Sequence, residues 1–333
     1  MFRQNRFRVL MLALIIFTPG LSMTAPAAAA VATAAVQKKS KTAKKSLPAG
    51  TPVMWREPED IASRDLFLGP GGEASKPDLS RLTLIERVTG GFSEKYRVRD
   101  AAGREWVAKV SREAQSETAA VRLLWAVGYV TEIVYLAPRV NIAGAGKGTF
   151  ENVRFEARPK GIKRHDPWAW EKNPFAGKRE LQGLKVMMLL FNNWDIKDDN
   201  NVILHVRSDQ NGQSELRYVV SDLGATFGKI GSGPLWQLRR SRNNPEDYAD
   251  AKFVDHVYRD QVFFHYGGKK QDIFEDISVN DVKWIAAQLS RLSDQQISDA
   301  FRAANYNQEE IGIFTSAVRA RINELLNLPP SES

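Results

Sequence analysis

Cysteine is absent from the 333 residues, which excludes disulfides, zinc–thiolate sites and thiol catalysis. Histidine is scarce: the four, at 165, 205, 256 and 265, form no i,i+4 pair and have no acid at a metal-site spacing, so they read as ordinary surface or half-buried residues. A Gly-x-Ser-x-Gly elbow is missing too, and with it the motif of a serine hydrolase. No internal repeat is found. The apolar run Val9–Phe17 has nine residues, too few for a membrane span. No acid precedes Glu57, and this last absence organises the charge of the whole chain.

Arg3, Arg6 and Arg8 precede the apolar run, and Pro19–Gly20 and small residues through Ala30 follow it. These are the three parts of a secretory signal peptide over residues 1–30, so the protein is expected to be exported, periplasmic or secreted, with no transmembrane span once the signal is cleaved. Residues 31–50, rich in Ala, Lys, Ser and Thr, read as a disordered basic linker suited to weak contact with an anionic envelope. Together the three arginines and the lysines at 38, 39, 41, 44 and 45 account for the full net charge of +8. Residues 46–333 are neutral overall, so the folded body carries no nucleic-acid-binding face and no nucleic-acid partner is expected.

The whole chain has 43% hydrophobic residues and 10% aromatics, enough to fill a core. Residues 51–79 read as an extended lead-in with a Gly-Pro-Gly-Gly stop. From residue 82, "LTLIERV", "EKYRVRD" and "REWVAKV" are short β-branched and aromatic runs separated by Gly90–Gly91 and Asp100–Gly103, as in three antiparallel strands. "SREAQSETAAVRLLWAVGY" has helical spacing and ends at Gly128, and "EIVYLAPRVNI" and "FENVRFEARP" suggest two further strands. Residues 80–158 thus form a small β lobe with one helix. Residues 159–328 form a larger, mainly helical lobe: "RELQGLKVMMLLF" is a buried helix, "NVILHV" and "LRYVVSDLG" flank the Asn211–Gly212 turn, and "SDQQ" and "NQEE" resemble helix starts.

Chemistry concentrates in "NNWDIKDDNNVIL" (192–204). Asp195, Lys197 and Asn200 follow a buried helix and precede a strand, and Asp222 ends the next strand of the hairpin, so both acids can meet at one edge. Two carboxylates and an amide suit a hard cation such as Mg²⁺. A lysine beside them can neutralise a transferring phosphoryl group, and an aspartate can orient or deprotonate a hydroxyl nucleophile. Asp198, Asp199 and Asn201 read as residues of the turn.

The spacing Asp195-x-Lys197-x-x-Asn200 resembles the catalytic loop of protein kinases and their atypical relatives. "SDLG" (221–224) resembles their metal-binding Asp-Phe-Gly turn, and "WVAKV" ends in Lys109 where the family carries its phosphate-binding lysine. The resemblance covers about residues 82–225. It implies an α+β, bilobal protein-kinase-like fold with ATP and Mg²⁺ in the cleft. In it Lys109 contacts the α/β-phosphates, Asp195 is the catalytic base, Lys197 steadies the γ-phosphate, and Asn200 and Asp222 hold the metal. Gly90, Gly91 and Ser93 offer donors to phosphate. Glu117 is preferred over Glu113, one helical turn earlier on the same face, as the acid that pairs Lys109. The expected reaction is phosphoryl transfer to an unidentified hydroxyl-bearing acceptor. The alternatives are nucleotidyl (AMP) transfer on the same fold, and a non-catalytic pseudokinase or envelope-binding module.

The chain departs from the family in several places. Asn193–Trp194 stands where a His-Arg pair precedes the catalytic aspartate, adjacent glycines replace the spaced glycine pattern, and no Ala-Pro-Glu follows Asp222. The segment 225–248 is read as a solvated basic loop, with substrate binding through Arg239, Arg240 and Arg242 as the alternative. "NIAGAGKGTF" (141–150) imitates a P-loop but lacks its first glycine and its Ser/Thr, and reads as a hairpin turn. Trp168 and Trp170 are assigned to packing rather than to a sugar platform.

Overall fold

Alternation along the strands of the smaller lobe separates a packed face from a charged one. In β3 (Glu94–Arg99) Tyr96 and Val98 are buried while Lys95, Arg97 and Arg99 lie on the opposite side. In β4 (Glu105–Val110) Trp106 and Ala108 join the same core, and Val107 and Lys109 face the other way. With β2 (Thr83–Val88), β5 (Val134–Val140) and β6 (Phe150–Ala157) these form a five-stranded antiparallel sheet in the order β2-β3-β4-β6-β5. The structure is a computed structural model that describes residues 46–89, 93–146, 148–207, 213–231, 235 and 238–330. The signal peptide, the linker up to residue 45, Gly90–Gly91 and the Asn211–Gly212 turn lie outside the described residues.

A helix, α1 (Ala114–Ala126), connects β4 to β5 and is buried over most of its length. Its apolar side belongs to the long core of the second lobe, which runs through α2 (Arg179–Leu190), α4 (Val279–Ser290), α5 (Asp294–Ala303) and α6 (Gln308–Leu326). The three last helices each begin with a capping box, at Ser278–Asp281, Ser293–Gln296 and Asn307–Glu310. A short helix, α3 (Pro245–Asp250), and a hairpin of β10 (Val254–Tyr258) and β11 (Gln261–Phe264) complete this side. Among the described residues no helix is long and apolar enough to cross a membrane. The fold is α+β and bilobal, an antiparallel β lobe with one helix against a mainly helical lobe.

The hairpin after α2 is β8 (Asn201–Arg207) and β9 (Ser214–Val220), flanked by β7 (Lys163–His165) on one edge. On its other edge lies β1 (Thr51–Val53), parallel to β9, so the lead-in opens with a strand of the second lobe. It then runs along the back of the molecule. Trp55 Nε1 donates to Val127 O (2.7 Å) and its ring meets Trp284 edge-on at 5.0 Å. Gln296 Nε2 donates to Ile61 O (2.7 Å), and Tyr135 Oη donates to Gly72 O (2.6 Å). The segment is a strap behind both lobes. The stretch 141–150 is the β5–β6 turn, and Trp168 and Trp170 pack against each other and Tyr218 in the core.

Trp55→Ala removes a hydrogen bond and an aromatic contact that hold the strap. It is expected to lower unfolding free energy by about 2–3 kcal/mol, less than a fully buried tryptophan. Urea unfolding with an unchanged m value checks this.

Candidate active site

Strand β4 delivers Lys109 to the inner face of the sheet, where its side chain is 4% exposed. An ammonium so far from water needs carboxylates. Lys109 Nζ lies 2.7 Å from Glu117 Oε1, 2.9 Å from Glu113 Oε2 and 3.8 Å from Asp222 Oδ1. Both candidate acids, Glu113 at the N-cap of α1 and Glu117 in its first turn, therefore reach it, and Glu117 is the buried one at 1% exposure. Ser93 Oγ donates to Glu113 Oε2 (3.4 Å), so its hydroxyl is directed at the acid on α1.

The loop after α2 is built from its own amides. Asn193 Oδ1 accepts from Asp195 N (3.1 Å), and Asn200 Nδ2 donates to Asp195 O (2.6 Å). Asn200 O in turn accepts from Ser221 N (2.8 Å) and Asp222 N (3.0 Å), which fastens the loop to the end of β9. Asp222 Oδ1 accepts from Gly224 N (3.2 Å). Burial opposes the charge of Asp222, but Lys109, a hydrogen bond with Glu117 and the Gly224 amide outweigh it and hold the carboxyl below its ordinary value. With Asn200 Nδ2 committed to the loop, its amide oxygen is left to accept, and Asn200 and Asp222 line the same cavity. This all-oxygen donor set fits a hard divalent cation. Glu113, Glu117 and Asp222 also bring carboxylate oxygens within 4.8 Å of one another.

Asp195 is clamped from both sides. Lys197 Nζ lies 2.7 Å from Oδ2, and Lys269 Nζ donates to Oδ1 at 2.5 Å. Burial works against the charge of Lys197, and the Asp195 hydrogen bond overcomes it to hold the ammonium above its ordinary value. Lys269 was not foreseen from the sequence. The signal is the pair Gly267–Gly268 ahead of it: a Cβ at Gly268 would come within 2.9 Å of Trp194 Cα, so only glycine lets the chain pass close enough for Lys269 to reach Asp195.

Trp194 has a structural partner of its own. Arg240 and Arg242 place their guanidinium carbons 3.9 and 4.7 Å from its ring centre, and Trp194 Nε1 donates to Ser241 O (2.8 Å). Arg242 also pairs with Glu113. The expectation of a solvated basic loop over 225–248 therefore fails for Arg240 and Arg242. A tryptophan in the loop that carries Asp195 gives the arginines an aromatic face that solvent does not.

Between the lobes lies a cavity of about 310 Å³ lined by Val88, Val107, Lys109, Arg154, Asn200 and Asp222, among others. Its inner wall is charged. Arg154 Nε is 2.8 Å from Glu117 Oε2 and Arg154 Nη2 is 3.0 Å from Glu156 Oε2; Glu156 pairs with Arg158 and, at 3.1 Å, with Arg164. Arg164 pairs with Glu132, whose Oε2 accepts from Ser221 Oγ (2.7 Å). The clue in the sequence was "FENVRFEARP", where Arg154, Glu156 and Arg158 at every second position share one face of a strand.

No family model matches the chain, and no curated protein matches it in sequence. Among solved structures, it is similar to the Helicobacter pylori proinflammatory kinase CtkA at 10% identity, covering 74% of this chain and 94% of that one, with a TM-score of 0.46. It is similar to the Golgi casein kinase with Mn/ADP bound (8% identity, 75% and 73%, TM-score 0.37). A third is the Rio2 kinase–ADP/Mg²⁺–phosphoaspartate complex from Chaetomium thermophilum (9%, 75% and 74%, TM-score 0.31). The strand order, the helix between β4 and β5 and the positions of Lys109, Asp195 and Asp222 on their elements make the fold protein-kinase-like on this chain's own evidence.

Burial raises both carboxyls of the Glu132–Glu156 pair. At Glu156, Arg158 and Arg154 overcome it and hold the acid well below its ordinary range; at Glu132, burial and the Glu156 charge prevail and push it up to about 7. Since the folded value of Glu132 exceeds the unfolded one, its contribution is complete below pH 4.5 and is lost as pH rises through about 7. Glu117, pushed up to about 7 by burial against Arg154 and Lys109, titrates in the same direction. Glu132→Gln, which mimics the protonated acid, is expected to reduce the fall in stability between about pH 5 and pH 8 by roughly half. Urea unfolding across that range measures it.

Proposed function

We propose that this protein is an exported kinase-like phosphotransferase that moves a phosphoryl group from ATP to a hydroxyl of its acceptor, with Mg²⁺. The observation that carries the reading is the buried Lys109, held by Glu117 at 2.7 Å and lying 3.8 Å from Asp222, at the mouth of a cavity shared with Asn200. A structural ion pair needs one acid. Here an ammonium, three carboxylates and an amide converge where a polyanion and its metal would sit.

Lys109, fixed by Glu117, meets the phosphate oxygens as a point charge. Asp222 and Asn200 hold Mg²⁺, which when bound neutralises charge on the phosphates. Asp195 orients the acceptor hydroxyl and takes its proton, while Lys197 and Lys269 bring positive charge to the place where the transferring group needs it. Val88 and Val107 offer apolar contact to a base. The charged wall of Arg154, Glu156, Arg158 and Arg164 gives the other end of the donor hydrogen-bonding partners in place of a wholly apolar slot.

Mg²⁺-ATP is expected to raise the melting temperature of the wild-type protein, and Asp222→Ala and Lys109→Met to abolish the rise. Asp195→Asn is expected to keep nucleotide binding and to lower transfer by about 10²–10⁴-fold. ATP labelled at the γ- or the α-phosphate separates the chemistries: γ-label on the acceptor supports phosphoryl transfer, and α-label on it supports nucleotidyl transfer. No Mg²⁺-dependent thermal shift at millimolar nucleotide, with no label transferred, returns the protein to the class of binding modules.

A further inference from the structure

Arg122 lies on the face of α1 turned away from the cleft and is 1% exposed. Among the described residues no carboxylate comes within ion-pair distance of it, and neither its Nε nor its Nη1 has a hydrogen-bond partner. Asp65 acts on it only through its field, and burial lowers the guanidinium to about 10. The surroundings have made room for the group: a Cβ at Gly69, where φ is +72°, would stand 2.3 Å from its Cζ. Its other face looks toward the Tyr135 ring at 5.5 Å. A buried cation left without a partner costs several kcal/mol unless something supplies the missing charge.

The guanidinium lines a cavity of about 90 Å³ between the strap, β5 and α5, walled by Leu68, Pro77, Leu136 and Ala303. Phe67 and Leu79, two of the large apolar side chains left exposed on the molecule, stand at its rim. The space holds a few waters' worth of ligand. One end of it is cationic and unpaired; Lys76 and Tyr135 are the other polar residues of a lining that is otherwise apolar. We infer that this is a binding site for a small aliphatic carboxylate, whose anionic head pairs with Arg122 and whose short tail lies against Phe67 and Leu79. The site does not rest on the phosphoryl-transfer reading, although it touches it: Arg122 and Glu117 share α1, so an occupant steadies the helix that positions Lys109.

Butyrate tests the assignment on the full chain, with chloride at matched ionic strength, the neutral isostere butyramide and inorganic phosphate as comparisons. Butyrate is expected to raise the melting temperature by about 3 °C at saturation, and the other three to leave it within about 1 °C. Arg122→Met, which fills the same space without charge, is expected to melt higher than wild type in the absence of ligand and to lose the butyrate response. A butyrate shift no larger than that of chloride or butyramide overturns the site, as waters alone then satisfy Arg122. An equal shift with phosphate overturns the role of the apolar rim. Retention of the shift in Arg122→Met places binding elsewhere and overturns it too. If Arg122→Met does not fold, acetate against butyrate on the wild type decides, since equal affinity removes the tail from the site. Phe67→Ser, at an exposed position, is expected to weaken butyrate at least threefold and leave acetate unchanged.

Discussion

The ammonium of Lys109 cannot be buried alone, and much of the architecture follows from that constraint. It requires α1 to sit where Glu117 reaches β4, and α1 can do so only because its remaining faces are absorbed by the core of the second lobe. Removing one partner of such a pair costs about 3–5 kcal/mol, so the helix and the strand are effectively one mechanical unit. Glu117 extends the unit by a second ion pair to Arg154, and Arg154 by a third to Glu156. The inner wall of the cleft is thus a row of alternating charges, each anchored by its neighbours. Such a row loses little entropy when a charged ligand arrives, because its side chains are already ordered.

A second device couples this unit to the segment after Asp222. Arg242 touches both Trp194, in the loop that carries Asp195, and Glu113, on the helix that carries Glu117. Kinase-like folds depend on bringing the helix acid, the loop aspartate and the following segment into one arrangement. Here the Trp194 ring and the Arg242 guanidinium link the loop that carries Asp195 to the start of α1.

The fold was legible where local signals agreed with tertiary needs. The strands β2 to β6 and their connecting helix announce themselves by alternation, by glycine at the turns and by 3.6-residue spacing, and the capping boxes mark the starts of α5 and α6. Lys109, Asp195, Asn200 and Asp222 were visible because each sits beside an element boundary in a fixed order. Lys269 was not, since it reaches Asp195 across 74 positions of sequence through a backbone contact that only folding reveals. Arg240 and Arg242 were misread for a related reason: a basic run looks solvated until the aromatic ring it covers is known. The strap was the least legible part, because β1 pairs with a strand more than 160 positions away and has three residues in which to show a pattern.

That strap changes how the two lobes relate as bodies. The chain passes between them once in the strap, from β1 in the second sheet to β2 in the first, and again after β6 on its way to β7. A joint with one tether swivels freely; two tethers at separate points leave a single preferred axis. The two crossings therefore tie the lobes at separate points, which restricts the rotation of one against the other.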